Sequence, residues 1–204
     1  MGETGVHVNV IVAVLGMLRR HFAENTRVAV LGNMFICYEE GDPRKVVCPD
    51  IFVTLDVPAN TIRRTFKIWE EGKGPDLVIE ITSRKTRNVD LRKKPIIYRD
   101  ILKVREYFLF DPLEEFLEPS LQGFRLAQGQ YQPIPWSAGG LQSDVLGLRL
   151  ERDGMDLRFF NHATGLRIAT DEELRRTVTM AETEIERLRR EIDALRQRLP
   201  EGTE

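Results

Sequence analysis

With 204 residues, 42% of them hydrophobic and 30% charged, the chain can bury a core and carry an appendage, which excludes an intrinsically disordered polypeptide. Its formal net charge of −2 excludes a protein that coats nucleic acid by bulk attraction, so a nucleic-acid site has to be a local patch. Cys37 and Cys48 form no CxxC pair, which argues against zinc and a redox motif, and so little cysteine predicts a reducing, cytoplasmic setting.

The longest uncharged run, VHVNVIVAVLGML over residues 6 to 18, spans thirteen residues and contains His and Asn. That is too short for a membrane span, and no basic segment precedes it as in a signal peptide. Residues 7 to about 24 instead predict an N-terminal helix whose RRHF end puts cations in the last turn. His7, His21 and His162 are scattered without metal-ligand spacing and read as surface or capping histidines.

RVAVLGNMFICYEE (27–40) predicts one or two strands around Gly32-Asn33, GDPR a turn, and VVCPDIFVTL (46–55) the next strand. NTIRRTFKIWEEGKGP (60–75) predicts a long connection across a surface. DLVIEIT predicts a further strand, a helix follows from about Asn88 to Leu102, and REYFLFD (105–111) returns as a strand. GFRLAQGQYQPI predicts a hairpin turning at Gln128-Gly129, and VLGLRLE and MDLRFFN a closing pair of strands. Helix, three strands, helix, strand is an α/β order: a mixed central sheet flanked by helices, over residues 1–168.

The C-terminus changes character. Leu174, Val178, Ala181, Ile185, Leu188, Ile192, Leu195 and Leu199 are spaced 4, 3, 4, 3, 4, 3, 4, a heptad seam over residues 171–199. Val178, Ile185, Ile192 and Leu199 fall at a, and Leu174, Ala181, Leu188 and Leu195 at d, which suits a parallel two-stranded coiled coil. Glu184 at g would meet Arg189 at e of a partner, and Glu191 would meet Arg196. The expectation is a homodimer; the alternative is a single amphipathic helix folded back or solvated.

One strand carries an anomaly. In PDLVIEIT, Leu77, Ile79 and Ile81 share one face, while Asp76, Val78, Glu80 and Thr82 share the other. Either that second face is partly wet, or Glu80 is desolvated and needs a cation or metal beside it. Asp76 is badly placed to share a metal with it, since four residues of strand span about 13 Å. Asp50, after Pro49 at the start of another apolar strand, is the stronger partner, because neighbouring strands lie about 4.8 Å apart; its alternative is a turn aspartate. Asp90, Lys94 and Tyr98 recur at i, i+4 and i+8 along one side of the next helix, which could otherwise be an ordinary surface ion pair. Residues 76 to 105 hold nine Lys and Arg against four Asp and Glu, a candidate phosphate patch or simply a solvated face.

CPDIFV, KIWEEGKGPDLVIEITSRKTR, DLRKKPIIY and EYFLFDP together resemble the Uma-type family of restriction-endonuclease-like proteins, within the PD-(D/E)XK nuclease superfamily. The resemblance runs from about residue 30 to 170, through LQGFRL, LGLRL and TGLRIAT. It implies an αβββαβ core in which Asp50 and Glu80 hold Mg²⁺ or Mn²⁺, with the Ile81 carbonyl as a further ligand. The motif's strand lysine is absent at Thr82, and the resemblance implies that Lys94, in the Asp90–Lys94–Tyr98 pattern, carries that role, with Lys93 as the alternative. A further acidic residue from the N-terminal region often completes such sites, and nothing selects Glu24 over others. The implied activity is hydrolysis of DNA phosphodiester bonds, with RNA left open because phosphate contacts carry no base identity. The alternative class is a non-catalytic, coiled-coil-tethered binding or assembly module on a degenerate nuclease fold.

Overall fold

The computed structural model of the protein describes residues 5–83 and 89–198. Its first element, α1 (Gly5–His21), buries Val10, Ile11, Val14, Met17 and Leu18, the stripe that a 3.6-residue period lays along one side. Arg19, Arg20 and His21 complement its carboxyl end.

Two short strand groups follow: β1 (Val28–Gly32), β2 (Ile36–Cys37), β3 (Val46–Val47) and β4 (Ile51–Leu55), then β5 (Phe66–Lys67), the short helix α2 (Ile68–Glu71) and β6 (Leu77–Ile81). The stretch 46–55 is therefore not one strand. It breaks at Cys48-Pro49-Asp50, and β3 and β4 belong to different sheets. Pro49 has no N–H to give a ladder and biases the residue before it, so the break falls where the chemistry of proline puts it. The connection 60–75 also carries more structure than expected, because Phe66 is fully buried and β5 pairs in parallel with β2.

Beyond residue 88, a helical segment is built from α3 (Lys94–Ile96) between two π-helical turns, Val89–Lys93 and Ile97–Ile101. Pro95 cannot donate, so a regular ladder cannot run through it, and wider turns flank it. The expected helix start at Asn88 lies outside the described residues. Then come β7 (Glu106–Phe110), β8 (Leu121–Ala127), β9 (Gln130–Pro133), β10 (Trp136–Ser137), β11 (Gly140–Ser143), β12 (Leu148–Asp153) and β13 (Asp156–Asn161). The β8–β9 hairpin turns at Gln128 (φ 52°) and Gly129 (φ 77°), two successive positive φ angles that fit the right-handed twist of paired strands.

The central sheet has six strands in the order β1-β4-β6-β7-β8-β9, mixed because β6 and β7 run parallel and the other neighbours antiparallel. Strands β10 to β13 form a four-stranded antiparallel sheet, and β3-β2-β5 a small third one. Alternation along β6 serves two cores. Leu77, Ile79 and Ile81 pack in a cluster with the α1 stripe and β11–β13, whereas Val78 packs with Phe52, Phe66, Tyr98 and Tyr107. This is a mixed α/β fold with both sheet faces covered.

The chain divides into two compact units, Met1–Ile168 and Ala169–Glu204. In the second, α4 (Asp171–Arg198) starts with a capping box: Thr170 Oγ1 accepts the Glu173 N–H at 3.2 Å and Glu173 accepts the Thr170 N–H at 2.7 Å. Leu174, Val178, Ile185, Leu188, Ile192 and Leu195 of its seam are exposed. Leu199 lies outside the described residues.

Candidate active site

The register of β4 against β6 pairs Ile51 with Ile79 and Phe52 with Val78. One step further, Asp50 stands opposite Glu80, on the sheet face that Phe52 and Val78 share. Neither carboxylate is a surface group: Glu80 is 0% exposed and Asp50 8%. Of the two alternatives for that second face, the structure has the closed one, and Glu80 sits in it fully desolvated.

Three donors meet Glu80. Lys94 Nζ reaches Oε2 at 2.9 Å, the Tyr98 hydroxyl donates to Oε1 at 2.5 Å, and the Asp50 backbone N–H donates to Oε2 at 3.3 Å. Lys94 also pairs with Asp90 Oδ1 at 2.9 Å, and Asp90 is itself fully buried, so this is no ordinary surface ion pair. The helical segment is pinned from below, where the Tyr107 hydroxyl donates to the Asp90 carbonyl at 2.7 Å. Charge-assisted hydrogen bonds of this kind are what make burial of a carboxylate tolerable.

Asp50 is held by one oxygen. Its Oδ2 accepts the Ile81 backbone N–H at 2.8 Å, and His7 Nε2 lies 3.3 Å from the same atom. The backbone beside it is crowded: Asn33 donates its N–H to the Asp50 carbonyl at 3.0 Å, and a Cβ at Gly32 would stand 2.7 Å from that carbonyl and 2.8 Å from Leu15 Cδ1. Only glycine fits there.

The electrostatics follow from enclosure. Burial pushes the Glu80 carboxyl up to about 8; Lys94 pulls against this, and the charges of Asp50 and Asp90 add to it. For Lys94 burial acts downward, but Glu80, Asp90 and Asp50 outweigh it and hold the ammonium protonated above its ordinary range. Burial, then the Glu80 charge, raises the Tyr98 phenol, which stays a donor. Among the described residues, Lys94 is thus the ammonium that answers both Glu80 and Asp90.

Hard oxygen donors on adjacent strands, one of them with an uncommitted oxygen, suit a small divalent cation. Among the described residues no group of three or more His, Cys, Asp or Glu is arranged to hold a metal. A metal here would accordingly rest on two carboxylates, backbone oxygen and water, a shell that Mg²⁺ accepts.

Of the residues singled out in the sequence, Asp50, Glu80, Lys94, Asp90 and Tyr98 come together, and Ile81 joins them through its N–H. Asp76 does not. It lies at the other end of β6, accepting the Leu55 N–H at 2.8 Å and pairing with Lys73 at 2.7 Å. Thr82, where the motif has lysine, donates its hydroxyl to the Phe110 carbonyl at 3.1 Å. Glu24 is exposed beyond the end of α1, and α1 itself contains no acidic residue. What α1 sends to the site is His7, which the sequence places among surface or capping histidines and which the structure buries at 3% exposure. The signal was there: continued back one turn from Val10, Ile11 and Val14, the apolar stripe lands on His7. Of the basic stretch, Arg92, Lys93, Lys103 and Arg105 are exposed, while Arg84, Lys85 and Arg87 lie outside the described residues.

A family described as "Putative restriction endonuclease", Uma2, matches residues 1–158. The chain belongs to the Uma2 family. Among solved structures, the crystal structure of "a putative nuclease belonging to DUF820" from Anabaena variabilis is 16% identical, with a TM-score of 0.54 over 72% of this chain and 76% of that chain. At that identity the likeness speaks for the fold. No curated protein matches the chain. Uma2 membership supports a nuclease function for this chain, with nucleic acid as its substrate. Among the described residues, no helix is long and apolar enough to cross a membrane.

Proposed function

We propose that this Uma2 protein is a metal-dependent endonuclease that hydrolyses phosphodiester bonds in DNA. One observation carries the reading: Asp50, next to β4, and Glu80 of neighbouring β6 are both buried, and Glu80 is paired at 2.9 Å with Lys94, which both carboxyl groups help to hold in its charged form. Asp50, Glu80 and the Ile81 carbonyl would hold Mg²⁺ or Mn²⁺, which when bound supplies Lewis-acid polarisation of a phosphoryl oxygen and a more acidic water.

The protein's own groups do the rest. Tyr98 fixes one oxygen of Glu80, so that carboxylate cannot swing away. Asp90 holds Lys94 from behind, leaving the ammonium to stabilise charge developing on the phosphate. The exposed cations of the following segment, Arg92 and Lys93 among them, attract the phosphate backbone without reading sequence. Plasmid nicking with Mg²⁺ or Mn²⁺ tests the reading, alongside an RNA of matched length: wild type cuts DNA and Glu80→Ala does not. Equal inertness of both proteins overturns it, and cleavage of RNA alone reassigns the substrate.

The C-terminal helix supports a homodimer. Among the described residues its exposed seam has β-branched Val178, Ile185 and Ile192 at a and leucine at most d positions, and Glu184 and Glu191 at g face Arg189 and Arg196 at e only when two helices run parallel. A parallel pair would give the assembly two cleavage sites. Sedimentation of the full chain is expected to give a dimer, and of Ile185→Lys/Ile192→Lys a monomer. Two cysteines in 204 residues, in no CxxC pair, support a reducing, cytoplasmic setting.

A second reading, a non-catalytic coiled-coil-tethered module on the same fold, is favoured by Thr82, whose hydroxyl is committed to a backbone carbonyl where the motif has a lysine. A Mn²⁺ titration separates the two, because the enzyme binds the ion in dependence on both Asp50 and Glu80.

A further inference from the structure

We propose that His7 is a positioning residue for the Asp50 carboxylate. It grips Oδ2 from the opposite layer of the fold and leaves Oδ1 as the oxygen free to take a metal. The inference rests on the reading of Asp50 and Glu80 as a metal-binding pair.

Three observations carry it. His7 is 3% exposed and occupies the first position of the α1 stripe that continues through Val10, Ile11 and Val14, where packing alone calls for an aliphatic side chain. A buried imidazole costs free energy unless its nitrogens are bonded, and its Nε2 lies 3.3 Å from Asp50 Oδ2, 43 residues away in sequence. Finally, both contacts on the Asp50 side chain, His7 and the Ile81 N–H at 2.8 Å, fall on the same oxygen.

A carboxylate that holds a metal only accepts, so the proposal requires Nε2 to be the donor. A single donor would let the carboxylate pivot about its bond to Cβ. Two donors from different directions, one a strand backbone and one a helix side chain, fix its plane. Partners behind a ligating carboxylate orient it, and their removal typically costs roughly 10–100-fold in metal affinity. His7 also explains how the site manages with an N-terminal helix that contains no acidic residue: α1 contributes a hold on a ligand instead of a ligand.

The test is Mn²⁺ calorimetry on the full chain, comparing wild type with His7→Leu, His7→Gln and Asp50→Asn, beside nitrogen-detected imidazole spectra of the metal-free protein. Leu extends the apolar stripe, so the fold is kept, and unchanged circular dichroism confirms it. His7→Leu is expected to bind Mn²⁺ about 10–100-fold more weakly. His7→Gln, whose amide donor reaches a similar position, is expected to recover most of that loss, and the spectra to place the ring proton on Nε2. Wild-type affinity in His7→Leu, with Asp50→Asn impaired, overturns the role of His7 and leaves the metal reading standing. A loss in Leu that Gln does not restore overturns the hydrogen-bond role. If wild type binds no Mn²⁺, or Asp50→Asn binds as well as wild type, the metal reading fails and takes this inference with it.

Discussion

The two ends of β6 hold the same kind of side chain under opposite conditions. Asp76 and Glu80 are both buried carboxylates on one face of one strand, four residues apart. Asp76 is answered by the Leu55 N–H and by Lys73, whose side chain is 36% exposed, with Arg105 more distant at 3.8 Å. Its neutralisation is shared with solvent. Glu80 is answered by Lys94, 13% exposed, and by a buried phenol, with further carboxyl groups close by. Burial of a charge is thus not itself the mark of a site. The mark is burial whose compensation is also enclosed, because that is what perturbs a titration.

The comparison breaks first on activity. Glu80→Ala is expected to abolish nicking, while Asp76→Asn keeps cleavage within a few-fold of wild type and instead loses about 1–3 kcal/mol of stability, the cost of disturbing a buried acceptor. Plasmid assays and denaturant melts on the two variants read both halves. Lys94→Met comes next: a drop of about 10²–10³-fold in rate is expected, the scale of removing one charge-stabilising group. Equal activity of the variant would remove Lys94 from the reaction.

Stability against pH sharpens the contrast. Glu80 moves from an ordinary 4.5 to about 8 on folding. Between those values the unfolded chain has lost the proton and the folded chain keeps it. Folding therefore takes up a proton, and stability falls as the pH climbs through the window, flattening above it. In metal-free protein, Glu80→Gln removes this slope, so its stability relative to wild type should rise between pH 5 and pH 8.5 by on the order of a few kcal/mol. Parallel profiles for the two proteins would mean that Glu80 is ionised throughout. The smallest effect belongs to Lys73→Ala. A half-exposed ion pair is worth about 0.2–1 kcal/mol, so its melting curve should barely move.

Much of this was legible in the chain. The heptad seam, the β8–β9 turn and the alternation in DLVIEIT depend on short-range pattern, and the structure has a 28-residue helix, two positive φ angles at Gln128-Gly129 and two separate cores where they require them. The meeting of Asp50, Glu80 and Lys94 was readable as a possibility because PD and E carry their own strands. Three things were not. The split of 46–55 needed the sheet partners of β3, which lie at long range. The burial of Phe66 depended on β2, thirty residues earlier. His7 does not show in the spacing of histidines to other ligands, because its informative quantity is its place on a helical face.

The absence of any side chain at Gly32 has a mechanical consequence. With Leu15 and the Asp50 carbonyl both crowding the space a methyl group would need, helix and strand are in direct register there, with no cushion between them. Position 15, which offers no polar atom, thus borders the main chain that carries one of the acidic pair, from the far side of the sheet.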